Sequence, residues 1–315
     1  MEQTKRIALI GGGRWAGEIA DTLRMLLSEN ERLCVVSPSN PGIWLARRRL
    51  ENVFIEPVGH VETICKNPEI SAVFIARAAR DHASTARTLL QAGKSVFVEK
   101  PFALSMAEAK TVIAAIRPDC VCLTGLTFLY AKNLLNFVYA CQELGQLQSL
   151  RLEWSDATEE IRRGQSKRYD ANIGVIEDVL PHVWSILRLF EQRQPLIAKE
   201  ARIEAKGNAA WLRLSLGSVD TVVSLLRDSN LRRRWIEVTS EGGTAKLDFA
   251  QEPGIAVRNG RELSVQEGYT SPLRRELSHF LSVQAGRAAP GLADVRYAVE
   301  SIALAEVCNS IAVRE

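Results

Sequence analysis

Arg6-Ile7-Ala8-Leu9-Ile10-Gly11-Gly12-Gly13-Arg14-Trp15-Ala16-Gly17 decides how the first half of this 315-residue chain is read. A short apolar run ends in a glycine cluster, and Ile19, Leu23, Leu26 and Leu27 follow at helical spacing. The pattern predicts a buried strand, a tight turn and the start of a helix. Gly11 suits the turn, Gly13 allows a close approach by pyrophosphate, and Ala16 or Gly17 lets helix and strand pack tightly. Pyrophosphate is favoured there because the first N–H groups of a helix lack internal partners and lie at the positive end of its dipole. A glycine cluster alone would also suit a plain strand–helix turn. What singles this one out is its place at the head of a βαβ series.

Outward from that stretch, strands are predicted at 32–36, 71–76, 94–98 and 120–124. Helices are predicted at 44–50, 83–90 and 105–116, the last with Ser105 as N-cap. Strands and helices alternating at these lengths make a parallel sheet covered on both faces. The second strand ends Val36-Ser37-Pro38-Ser39-Asn40, with no carboxylate where NAD enzymes bond the ribose 2′-hydroxyl. Ser37, Ser39 and Asn40 can donate hydrogen bonds to a 2′-phosphate, and Arg47, Arg48 and Arg49 follow, so NADP(H) is expected over NAD(H). The strand 94–98 runs directly into Glu99-Lys100-Pro101. That puts an ionisable lysine at the carboxyl edge of an open sheet, where ligands bind.

From Leu147 the pattern changes to alternation, as in Leu150, Leu152 and Trp154 against Arg151, Glu153 and Ser155. Further strands are expected near 200–206, 210–216, 219–226, 233–240 and 244–249, and Arg258-Asn259-Gly260-Arg261 is a hairpin turn. The fold class is therefore α/β: a doubly wound Rossmann sheet over 1–124, then a substrate-binding α/β domain over 125–315 with an open, mainly antiparallel sheet. The exposed face of that sheet suits a homo-oligomer contact, and the C-terminal helix has the first domain available to pack back on. Val179 to Phe190 is apolar on most sides and reads as a buried helix. Asp178 and His182, four apart, share one face of it. Pro181 fits only a first turn, so the helix is expected to begin near Asp178. Asp178 and His182 read either as a cap with a satisfied buried histidine or as catalytic groups. Tyr130 and Lys132 are placed along the cleft. Arg163 and Tyr169 lie in a basic stretch that suits an acidic substrate or a solvated loop equally. Arg232-Arg233-Arg234 reads as a solvated face or a phosphate contact.

Bulk composition excludes several classes. Hydrophobic residues make up 46%, charged residues 24%, and the net charge is +3 with both signs mixed along the chain. Nothing there argues for nucleic acid or a membrane, and no run approaches the ~20 apolar residues of a span. With no apolar leader after the first residues, a cytoplasmic location is expected. Cys120-Val121-Cys122 reads as alternation within a buried strand rather than a metal pair, and no metal is expected.

Taken together, Gly11–Gly17, Val73-Phe-Ile-Ala76-Arg-Ala-Ala-Arg-Asp-His82, Ala92-Gly-Lys94 ahead of Glu99-Lys100-Pro101, and Asp178-Val-Leu-Pro-His182 resemble the Gfo/Idh/MocA oxidoreductases. In that family a Thr-Pro-Asn turn precedes the histidine. Here it reads Arg77-Ala78-Ala79, and Ser185 stands where the family often has an acid. The resemblance implies hydride transfer between a nicotinamide and a carbon bearing oxygen or nitrogen on a small molecule. It implies that Lys100 hydrogen-bonds the reacting heteroatom, that His182 is the general acid/base, and that Asp178 orients the substrate or Lys100. It implies cofactor contacts from Gly11, Gly13, Arg14, Trp15, Ala16, Ser37, Ser39, Asn40, Ala76, His82, Glu99, Lys100 and Pro101. Substrate contacts would come from Tyr130, Lys132, Arg163 and Tyr169. A sugar or cyclitol is the family's commonest substrate. A heterocyclic imine, as in thiazolinyl imine reductases, is the alternative. A non-catalytic NADP-binding sensor is the reading from another class, but it would have no need of Lys100, Asp178 and His182 together.

Overall fold

The computed structural model describes residues 6–27, 31–37, 54–158, 161–162, 165–166, 169–251, 254–263 and 270–314. The helix expected over 44–50 lies outside them. The chain divides into two compact units, one of residues 1–127 and 271–302, the other of 128–270 and 303–315.

The first unit is built from β1 (Arg6–Ile10), α1 (Arg14–Arg24), β2 (Arg32–Val36), β3 (Phe54–Val58), α2 (Val61–Lys66), β4 (Ile70–Ile75), α3 (His82–Gln91), β5 (Ser95–Val98), α4 (Met106–Ala114) and β6 (Cys122–Thr124). Among the described residues its six strands are all parallel, in the order β3-β2-β1-β4-β5-β6. Central strands covered on both faces need continuous apolar runs, and Ile7, Ala8, Leu9, Val73, Phe74 and Val96 are all fully buried. Ser105 caps α4 as expected, its hydroxyl accepting the Glu108 N–H at 3.2 Å while the Glu108 carboxylate accepts the Leu104 N–H at 2.8 Å. Strand β3 contains Pro57 and had no clear sequence signature. It sits at the sheet edge, where a missing N–H breaks no ladder. The later helix Pro272–Gln284 belongs to this unit. Its Phe280 packs edge-on against Phe74 and Phe97, with ring centroids 5.0 and 5.8 Å away.

The second unit contains α5 (Lys132–Gln142), β7 (Leu147–Ala157), the short pair β8 (Ile161–Arg162) and β9 (Gln165–Ser166), α6 (Val175–Phe190), β10 (Leu196–Glu204), β11 (Ala209–Leu216), β12 (Val219–Ser229), β13 (Arg233–Ser240), β14 (Gly243–Asp248), β15 (Ile255–Arg258), β16 (Arg261–Glu262) and β17 (Val313–Arg314). Nine of its strands form one sheet in the order β16-β15-β14-β13-β7-β12-β11-β10-β17. Its pairs are antiparallel except β7 with β12 and β10 with β17. Leu150, Leu152, Leu212, Val223, Ile236 and Val238 form a core with Val179, Leu180 and Val183 of α6. Asn259 and Gly260 both have positive φ, 47° and 77°, which a two-residue type I′ hairpin turn requires.

One expectation fails here. Helix α6 begins at Val175 with Gly174 as its N-cap, so Pro181 lies inside it rather than in its first turn. Pro181 has no N–H to give the Glu177 carbonyl, a loss of ~3 kcal/mol in an exposed helix. Val179, Leu180, Val183, Trp184, Ile186 and Leu187 are all buried. At ~1.5–3 kcal/mol for each large apolar side chain, that burial outweighs the missing bond. Asp178 therefore stands in the first turn and His182 one turn further in. Among the described residues no helix is long and apolar enough to cross a membrane.

Candidate cofactor and catalytic site

Strands β1 and β4 are neighbours where the strand order reverses, the point at which open α/β sheets bind ligands. Ala76 N–H donates to Ile10 O at 2.8 Å, tying the carboxyl ends of β4 and β1, and Gly11 N–H donates to Val36 O at 3.0 Å, tying that of β1 to β2. A Cβ on Gly11 would run into the carbonyl oxygen of Ala76, so the chain accepts only glycine there. Ala16 is fully buried, its Cβ 3.0 Å from where that atom would stand. Gly13 is the opposite case. Its backbone is extended (φ −82°, ψ 177°), and among the described residues nothing lies within 4 Å of a Cβ placed on it.

Gly13 is also the N-cap of α1, with no side chain capping the helix among the described residues and no acid in its first turn. Open space, a helix N-terminus without an acid and a glycine approach together fit a diphosphate. Arg14 opens α1, 4.0 Å from Glu18 and 5.9 Å from the Trp15 ring centroid. At the end of β2, Ser37 is 7% exposed and its hydroxyl has no hydrogen-bond partner among the described residues. A buried, unsatisfied hydroxyl at the carboxyl edge of the sheet is available to a bound group. Ser39, Asn40 and Arg47 to Arg49 lie outside the described residues.

Lys100 is half-buried directly after β5, with Glu99 buried before it and a cis peptide joining it to Pro101. His82 opens α3 and is 2% exposed. Its Nδ1 lies 2.8 Å from Pro101 O and its Nε2 3.0 Å from Arg77 O. Burial pushes the His82 pKa down, against the pull of those two carbonyls. A neutral imidazole has one N–H, so one contact is a donated bond and the other a close approach. His82 thus braces the lysine segment against the turn after β4.

Glu99 has a buried neighbour that the sequence did not announce. Glu276, from the helix Pro272–Gln284, is 1% exposed and accepts the Thr127 hydroxyl at 2.8 Å. Burial raises the pKa of both carboxyls, and the charge of Glu99 raises that of Glu276 further. Trp15 offsets part of the shift on Glu99, although among the described residues its buried Nε1 has no partner at hydrogen-bond geometry. The sign of the pH effect follows. A carboxyl whose folded pKa is raised stabilises the fold fully below the unfolded pKa, and this is lost as pH climbs through the folded one. Glu276→Gln is therefore expected to melt higher than wild type at neutral pH, by about 1–3 kcal/mol for relief of a strained buried group. The gap should close toward the unfolded carboxyl pKa. A gap that widens on acidification, measured by calorimetry across pH, would exclude this account.

In the second unit the Asp178 carboxylate accepts Arg227 Nη2 at 2.8 Å. The Arg227 side chain is 2% exposed. It also donates to Ile173 O at 2.8 Å and Gly174 O at 3.1 Å, fastening the start of α6. Tyr169 lies beneath its guanidinium, 4.7 Å from carbon to ring centroid. His182 occupies an aromatic corner: the Trp154 indole lies 14° from its plane with centroids 5.5 Å apart, and Phe128 meets it edge-on at 5.1 Å. Ser185 donates to the His182 carbonyl at 2.7 Å. Tyr130 ends a short turn and Lys132 opens α5, both half-buried. Arg163 lies outside the described residues. The 232–234 run is not one solvated face. Arg233 is exposed, but Arg234 points inward to Asp156 at 2.7 Å, as strand alternation with Ile236 and Val238 requires.

Comparison with known proteins agrees with this architecture. The "Oxidoreductase family, NAD-binding Rossmann fold" (Gfo/Idh/MocA) matches residues 5–125. The 1-carboxy-3-chloro-3,4-dihydroxycyclohexa-1,5-diene dehydrogenase of Comamonas testosteroni is 26% identical over 197 residues, which span 59% of this chain and 47% of that protein. The chain thus aligns with about half the length of this curated relative. Among solved structures, KijD10, a 3-ketoreductase from Actinomadura kijaniata in complex with NADP and TDP-benzene, superposes with a TM-score of 0.82 at 17% identity, covering 99% of each chain. An inferred oxidoreductase from Magnetospirillum magnetotacticum MS-1 superposes at 0.75 with 23% identity, covering 97% of this chain and 100% of its own. At such identities these structures speak for the fold. Residues 5–125 thus match the NAD-binding Rossmann unit of the Gfo/Idh/MocA oxidoreductase family, and the likeness is shown for that part of the chain.

Proposed function

We propose that the chain is an NADP(H)-preferring oxidoreductase that interconverts a secondary alcohol and a ketone on a ring-bearing small molecule. The observation that carries the reading is the glycine turn after β1 together with Lys100 after β5, both at the carboxyl edge of one parallel sheet. A nicotinamide held in that cradle would supply or accept the hydride. Hydride transfer to a carbonyl leaves a basic oxygen, so the chain must also deliver a proton. Lys100 donates a hydrogen bond to the reacting oxygen and stabilises its developing charge. His182 gives that oxygen its proton in reduction and takes it back in oxidation. Asp178, ion-paired with Arg227, orients the substrate hydroxyl. Gly11, Gly13, Arg14, Trp15 and Ala16 would receive the diphosphate side of the cofactor, Ser37 the ribose, and Ala76 with the Glu99-Lys100-Pro101 segment the nicotinamide side. Tyr130, Lys132 and Tyr169 contact the substrate. The relatives' names, a ketoreductase and a dihydroxy-ring dehydrogenase, favour the alcohol–ketone pair over an imine. The same reading extends to a cytoplasmic homo-oligomer paired through the outer sheet face, where Trp211 and Trp235 are half-buried among charged residues.

Cofactor choice is the direct test. NADPH should bind more tightly than NADH in a fluorescence titration, by about 1–3 kcal/mol for charge-assisted hydrogen bonds to the 2′-phosphate. Ser37→Asp should reverse the order by setting a carboxylate against that phosphate. Equal affinities in wild type would remove the preference from the reading.

A further inference from the structure

The second unit holds a buried charge pair that the proposed chemistry does not use. Trp154 on β7 and Arg234 on β13 are direct cross-strand partners, both on the covered face of the sheet. The Arg234 guanidinium carbon lies 3.8 Å from the Trp154 ring centroid. Asp156 receives both residues: Arg234 Nη2 at 2.7 Å and the Trp154 indole N–H at 3.4 Å, with Arg232 further off at 3.9 Å. The indole is therefore pressed by a planar cation against its face and held by a carboxylate at its polar edge. Burying an arginine is costly unless its charge is matched. Here one carboxylate and one π face match it.

The imidazole of His182 rests against that clamped indole, near-parallel to it. Rotation about the last side-chain bond of histidine is broad and has no sharp staggered minimum. The plane of the ring is thus set by what it packs against. Trp154 supplies the parallel wall and Phe128 the perpendicular one.

We propose that Trp154, locked by Arg234 and Asp156, is the positioning residue for His182: the arginine–carboxylate pair fixes the indole, and the indole fixes the plane in which the imidazole presents its nitrogen to the substrate. Its bearing on catalysis rests on the reading of His182 as the proton-transfer group. A misplacement of ~1 Å at such a group lowers turnover by ~10²-fold, so a rigid wall behind it matters.

The test uses the full chain carrying isotope-labelled histidine, followed by NMR. The four histidines of the chain are few enough to assign by substitution, and His182→Asn identifies the ring signals of His182. Those signals should carry the ring-current shift of a stacked indole. Trp154→Leu should abolish the shift, and Trp154→Phe should restore part of it. Arg234→Met and Asp156→Asn leave the indole in place. Each should nevertheless weaken the shift and broaden the lines, which a merely space-filling tryptophan would not predict. These two variants carry the test if Trp154→Leu does not fold. Wild-type His182 shifts in folded Arg234→Met and Asp156→Asn would overturn the proposal, as would absence of a ring-current shift in wild type. Failure of the catalytic reading shows elsewhere: His182→Asn would keep full turnover while the NMR result stood.

Discussion

Lys100→Met is expected to lower turnover by ~10²–10⁴-fold, the usual worth of a positioned acid/base or charge-stabilising group. Methionine keeps an unbranched side chain of similar length and removes only the ammonium. NADPH affinity should change far less, because the cradle proposed for the diphosphate is the Gly11–Ala16 turn rather than Lys100. His182→Asn should cause a loss of the same order and flatten the pH–rate profile near neutrality. The measurement is steady-state turnover on ring alcohols and ketones, with cofactor affinity titrated in parallel. If both variants keep wild-type turnover on the true substrate, the catalytic assignment is wrong and only nucleotide binding survives. If wild type binds NADPH tightly but turns over no alcohol, ketone or imine, a sensor role replaces catalysis.

The second large effect belongs to the glycine turn. Gly13→Val should weaken NADPH binding by at least ~10²-fold, roughly 2.8 kcal/mol. Its backbone angles suit a branched residue and nothing in the described structure meets the new Cβ, so the fold should stand. The side chain would fill the space in front of the α1 N-terminus. Gly11→Ala should behave differently, because its Cβ collides with the neighbouring strand's carbonyl and stability itself falls. Melting curves and calorimetric titration separate the two. Undiminished NADPH affinity in folded Gly13→Val would show that this turn is not the diphosphate cradle.

What was legible in the sequence was what local pattern controls. The strand–glycine–helix unit, the cap at Ser105 and the Asn259-Gly260 turn each depend on residues within a few positions, and each appears where expected. Strand β3 was not legible because edge strands tolerate proline and lack the continuous apolar run of the centre. The start of α6 is not legible from Pro181, because tertiary burial there outweighs the local preference of proline for a first turn. The partners of the candidate groups were invisible for another reason. Arg227 meets Asp178, and Glu276 approaches Glu99, only after sheets and helices assemble from distant parts of the chain. Arg234 was readable in principle: two positions before Ile236, it had to share that residue's face.

The route of the chain through its two units bears on how the protein is made. Neither unit is a continuous stretch: the first is left at residue 127 and completed only by 271–302. A ribosome releases residues from the N-terminus, so the six-stranded sheet emerges long before Phe280, the ring that covers Phe74 and Phe97. At the ordinary pace of synthesis, about 5–20 residues per second, the nascent sheet waits roughly 10–30 s with those two phenylalanines uncovered. Chaperones that hold exposed apolar surface would protect the polypeptide during that interval. Overexpression that outruns them should therefore send this protein into inclusion bodies through its first unit, and slowing translation should rescue it.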